Sequence, residues 1–175
     1  MSKKFDKTLM NTAWVFSKES SCKRANVGAI ISKNGRIRST GYNGTISGSD
    51  NCCEDLVDTV LACRRCGNND QETLHFEQNY CGKCNYTNVV VECEVLVSKN
   101  TVIHAEANAL MFAVKEGIKT DGCTMHITLS PCIDCAKLMI QAGIIRVVYQ
   151  EEYRITDGIE FLKQHNIEVE QLSEV

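Results

Sequence analysis

His104 and Glu106 stand two residues apart in IHAEANAL, and Cys132 and Cys135 three apart in SPCIDC. The chain has only four histidines and one proline, so this placement invites a chemical reading. If each stretch opens a helix, Cys132 and Cys135 share one face, because positions i and i+3 are neighbours on a helix surface. A helix N-terminus also favours the thiolate over the thiol. One imidazole and two thiolates give a zinc ion three ligands. Zinc prefers four, so a corner stays open to water, the mark of a catalytic site. Glu106 is poorly placed as the fourth ligand. Beside an activated water it can take a proton and hand it to a leaving group. The chemistry predicted is metal-assisted hydrolysis, with His104, Cys132 and Cys135 as ligands and Glu106 as proton shuttle.

The elements that must hold these groups are readable from spacing. Residues 4–20 have helical periodicity, with Leu9, Ala13, Val15 and Phe16 as inward positions. The run 26–32 is a strand, Asn34-Gly35 a hairpin turn, and IRST the returning strand, followed by a tight loop at GYNG, 41–44. IHAEANALMFAVKEG reads as a helix stopped at Gly117. Residues 123–130 form a buried strand, and PCIDCAKLMIQAG a helix with Pro131 at its start and Gly143 past its end. Then come a strand (144–150), a helix (GIEFLKQHN) and a last short strand (IEVEQL). Alternating strands and helices indicate a layered α/β fold.

Composition bounds the function. At 175 residues the chain is one domain with room for an insertion, and its 43% hydrophobic and 23% charged content is that of a globular protein. A formal charge of −3 argues against wrapping long nucleic acid. The N-terminus reads as an amphipathic helix rather than a signal peptide, and no stretch approaches a membrane span, so a cytoplasmic protein without membrane partners is expected. Eleven cysteines then favour zinc over a disulfide framework. Cys63/Cys66 and Cys81/Cys84 form two C-x-x-C pairs, 14 residues apart, slightly closer than the usual gap of about 15–20. They predict a structural zinc in a Cys-rich insertion at about 50–100, with His75 as an alternative ligand. Cys123 reads as a buried thiol, His126 as a packed or hydrogen-bonded residue, and His165 as solvent-facing.

H-x-E with P-C-x-x-C is the pattern of zinc nucleobase deaminases. Beyond that pattern, HAEANA with TLSPCIDCAK, preceded by SSCKRANVGAIISKNGRIRSTGYNG, resembles the deoxycytidylate (dCMP) deaminase family, and the phage-encoded members above all. The resemblance covers residues 5–53 and 102–155. It implies a single domain over 1–175 with a three-layer αβα sandwich, built on a mixed, mostly five-stranded sheet. The implied reaction is hydrolysis of dCMP to dUMP and ammonia for thymidylate synthesis, in the cytoplasm (the host's, if phage-encoded). It further implies a homohexamer activated by dCTP, with Mg2+ accompanying the triphosphate, and inhibited by dTTP. By the same resemblance Asn43 would bind the sugar, Tyr153 would line the site near the phosphate, and Arg24 would meet a phosphate. The effector site would share the Tyr42, Asn43 and Gly44 region, and Lys115 would lie near a subunit contact. Phage members carry a second, structural zinc, and Cys22 and Cys52 match two of its ligands. The expected His and acid are missing before HAE, so either Cys93 joins a rebuilt site or the tetrathiolate replaces it, and Cys53 is a further candidate. Two other readings stay open: a deaminase of another cytosine or adenine substrate, nucleic acid included, and an inert zinc-ribbon binding protein. Glu106 argues against the last, since a scaffold has no use for it.

Overall fold

The computed structural model describes residues 3–70, 73–75, 78–87 and 90–173. They fall into two compact units, Met1–Cys53 with Asn100–Val175, and Glu54–Lys99.

The first unit is built on five strands: β1 (Gly28–Lys33), β2 (Arg36–Tyr42), β8 (Cys123–Leu129), β9 (Ile144–Glu151) and β10 (Glu168–Gln171). Their order is β10-β9-β8-β1-β2. β1 runs antiparallel to β2 and β8, while β8, β9 and β10 are parallel, so the sheet is mixed. Lys33 pairs with Arg36 across Asn34-Gly35, both at positive φ (54° and 73°), the two-residue turn that Asn-Gly favours. Four helices cover the sheet: α1 (Asp6–Ser17), α2 (Ala105–Lys115), α3 (Ile133–Gln141) and α4 (Asp157–Gln164).

Alternation along the strands makes this a three-layer αβα sandwich. Ile30 and Val148 pack with Leu9, Met10 and Ala13 of α1. Their strand neighbours Ala29, Ile31 and Val147 pack on the other face with Ala105, Ala109 and Leu110 of α2, Cys135, Ala136 and Met139 of α3, and Leu162 of α4. Successive strand residues point to opposite faces, and each fully buried aliphatic side chain stabilises the unit by about 1.5–3 kcal/mol. Val15 does not belong to the inward face of α1: it is 59% exposed, whereas Met10, which the pattern did not single out, is fully buried. Gly41 is the last residue but one of β2 rather than part of a loop. A Cβ there would stand 2.4 Å from the Ala105 carbonyl oxygen, so only glycine lets α2 lie this close to β2.

The Glu54–Lys99 unit pairs β3 (Glu54–Cys63) with β7 (Val90–Ser98) in an antiparallel ribbon. Between its two strands in sequence lie three short antiparallel strands, β4 (Leu74–His75), β5 (Tyr80–Cys81) and β6 (Tyr86–Thr87). Among the described residues its core cluster is Cys63, Leu74 and Cys81, with Cys84 and Val90 packed against them.

Candidate active site

Two helix starts converge in the first unit. His104 is the N-cap residue of α2, so Glu106 lies in that helix's first turn. Cys132 is the N-cap residue of α3, and Cys135 lies one turn in. His104 Nδ1 is 3.5 Å from Cys132 Sγ and 3.4 Å from Cys135 Sγ. A tetrahedral zinc with Zn–S of about 2.3 Å and Zn–N of about 2.0–2.1 Å has S···N edges of about 3.5 Å. The donor set therefore fits zinc in both kind and spacing. The Cys135 and His104 hydrogen bonds, in that order, pull the Cys132 thiol down to about 4, so it stands ready as thiolate. The Cys132 contact in turn raises His104 above its ordinary range. Glu106 is 4% exposed, and burial pushes its carboxyl up to about 7. A carboxyl at that value can both accept and release a proton near neutrality.

The loops around this cluster are tied to it. Gly44 and Ile103 exchange two backbone hydrogen bonds, at 3.1 and 2.8 Å, which sets residues 43–44 beside the entry to α2. Asn43 turns back on residues 25–27: its Oδ1 accepts from the Val27 amide and its Nδ2 donates to the Ala25 carbonyl, both at 2.8 Å. Each of these groups retains one further hydrogen-bonding position, so Asn43 can anchor that segment and still meet a hydroxyl. Asn108 Nδ2 donates to the Tyr42 carbonyl at 2.8 Å, a tether that sequence reasoning missed although the residue sits inside HAEANA. Ser130 Oγ accepts from the Tyr153 amide at 2.8 Å, fixing half-buried Tyr153 near the turn that carries Cys132. Gly158 of α4 presses on that turn: a Cβ there would stand 2.1 Å from the Pro131 carbonyl oxygen. Arg24 and Tyr42 are exposed.

The other cysteines divide by unit. Cys63, Cys66, Cys81 and Cys84 gather within the second unit. In the first, Cys22 forms a disulfide with Cys53, which differs from the expected grouping of Cys22 with Cys52 and Cys93. Adjacent residues of an extended segment point to opposite sides, and here Cys53 is buried while Cys52 is exposed. The disulfide sulfur of Cys22 offers no thiolate to a metal, and Cys93 lies on β7 of the other unit.

A mixed five-stranded sheet between helical layers, with His, Glu and paired Cys at two helix starts, defines the cytidine-deaminase-like class. The chain belongs to the cytidine and deoxycytidylate deaminase family: the model of that family's zinc-binding region matches residues 3–151. It is accordingly a deaminase, an enzyme of the hydrolase type. The chain is 37% identical over 161 residues to the deoxycytidylate deaminase of Enterobacteria phage T4, covering 83% of this chain and 77% of that one. It is 30% identical over 150 residues to the deoxycytidylate deaminase of Mycobacterium phage D29, covering 85% and 95%. Among solved structures, the dCMP deaminase of cyanophage S-TIM5 in complex with dCMP and dUMP superposes with a TM-score of 0.72 at 38% identity, over 98% of this chain and 99% of that one.

Proposed function

We propose that the enzyme hydrolyses dCMP to dUMP and ammonia. The single observation that carries this reading is the buried Glu106 carboxyl within the first turn of α2, next to a His104–Cys132–Cys135 cluster whose spacing suits zinc. Similarity over most of the chain to dCMP deaminases, one of them solved with dCMP and dUMP, supports the substrate.

His104, Cys132 and Cys135 would hold the catalytic zinc, which when bound supplies the Lewis acidity that activates water. Glu106 takes a proton from the attacking water and delivers it to N3 of the cytosine ring as oxygen adds to C4. It then carries a proton to the 4-amino group, the C4–N bond breaks, and ammonia leaves a uracil ring. Asn43 would bind the sugar hydroxyl with its remaining donor and acceptor. Tyr153, tethered by Ser130, would border the phosphate end, and Arg24 would offer a guanidinium to the phosphate. Activation by dCTP with Mg2+, inhibition by dTTP and a hexameric assembly follow from the motif resemblance. The exposed Met111, Phe112 and Val114 on α2 suit a subunit contact, and Tyr42–Gly44 an effector.

Substrate choice is tested by ammonia release from dCMP, CMP and deoxycytidine, each with and without dCTP. dCMP is expected to have the highest kcat/KM. A preference for CMP or for the free nucleoside overturns the substrate reading.

A further inference from the structure

We propose that Cys63, Cys66, Cys81 and Cys84 bind one structural zinc ion as a tetrathiolate, and that this ion, rather than an apolar core, keeps the 54–99 unit folded. The inference stands apart from the catalytic reading, because none of its residues belongs to the first unit.

The four sulfurs lie within 4.8 Å of one another. Cys63 and Cys84 Sγ are 3.6 Å apart, and Cys66 and Cys81 Sγ 3.7 Å. A tetrahedron of thiolates at about 2.3 Å from zinc has S···S edges of about 3.8 Å. Disulfide sulfurs, by contrast, sit about 2.05 Å apart.

The backbone repeats itself around the cluster. The Gly67 amide donates to the Cys63 carbonyl, and the Asn85 amide to the Cys81 carbonyl, both at 2.8 Å. Gly67 and Asn85 each turn the chain at positive φ, 69° and 57°. Asn68 Nδ2 adds a donor to Cys81 Sγ at 3.7 Å. Two related turns that bring four thiols together, with a side-chain N–H on one of them, suit an anionic metal–thiolate centre, whose excess negative charge such a donor stabilises.

Energetics point the same way. Among the described residues, the core cluster of this unit is two of the thiols and Leu74, with Cys84 and Val90 partly buried beside them, while Leu56 and Val57 are each 57% exposed. A segment this short seldom folds on its own apolar burial, and a metal site that forms only in the folded state converts its binding energy into folding energy.

The test is metal content per full-length chain, by elemental analysis and native mass spectrometry. The wild type should carry one zinc more than the Cys66→Ser/Cys84→Ser double variant. Cys84→His, which preserves four ligands, and Cys93→Ser, outside the cluster, should keep the wild-type content. In the double variant limited proteolysis should cut first within 54–99. Equal zinc in the wild type and the double variant overturns the proposal. Should the double variant not accumulate, cobalt titration of the wild-type apoprotein decides. A sulfur-to-cobalt charge-transfer band of tetrathiolate type supports the site, and a spectrum from a two-thiolate centre alone overturns it.

Discussion

Asp6 and Arg146 lie 140 residues apart in the chain, and each tolerates burial because of the other. Arg146 reaches both Asp6 oxygens, at 2.9 and 2.8 Å, and also bonds Glu168 and Glu170. His126 Nε2 donates to Asp6 Oδ1 at 2.9 Å, since an ionised carboxylate can only accept. Burial alone would raise Asp6, but the Arg146 and His126 hydrogen bonds outweigh it and hold the carboxyl below its ordinary range. Burial lowers His126 by more than Asp6 raises it. Both groups thus have depressed folded-state values, so the stability they contribute exists above their unfolded values, about 6.5 and 3.9, and is lost as pH falls through the folded ones. The melting temperature should fall as pH drops below about 6.5, and fall further below about 4. Asp6→Asn should destabilise the protein by about 3 kcal/mol at neutral pH, because Arg146 loses its principal buried counter-charge. Denaturant melts across this pH range check both, and an unshifted Asp6→Asn midpoint contradicts them.

At the scale of elements, the candidate site depends on how closely helices approach the turns that bear its proposed ligands. Gly158 on α4 is the tightest such approach to the Cys132 turn. Gly158→Ala should push residues 130–132 outward, lower stability by about 1–3 kcal/mol and reduce kcat for dCMP. Thermal melts and steady-state kinetics measure the two effects, and an unchanged kcat would show that the turn tolerates the shift. Much of this level was legible in the sequence. His104–Glu106 and Cys132–Cys135 are local pairs at helix starts, so short spacings alone predict that each pair acts together. The Asn-Gly hairpin is equally local. Strand β3 was not legible, because a two-stranded ribbon with both faces largely exposed leaves no apolar alternation. The GYNG stretch read as a loop, yet pairing with β1 carries β2 through Tyr42. The partner of Cys22 depends on which of two adjacent cysteines turns inward, and Asp6 with Arg146 on sheet topology. Neither leaves a local signal.

For the molecule as a whole, the two units differ in their described cores. The first has a layered apolar core, with Met10, Ile30, Ile31, Met125, Ile127 and Val147 fully buried, and for the second we propose the zinc-binding sulfur cluster. Among the described residues, no helix is long and apolar enough to cross a membrane. A formal charge of −3 leaves little long-range attraction for a polyanion, which suits a mononucleotide recognised by a few local groups. Family membership and the site's geometry meet at one carboxyl group, and Glu106→Gln tests it most directly. This change keeps the side chain's shape while removing its capacity to carry a proton. With zinc content matched to the wild type, ammonia release from dCMP should fall by a factor of about 100–10,000. Turnover at the wild-type rate would contradict the account.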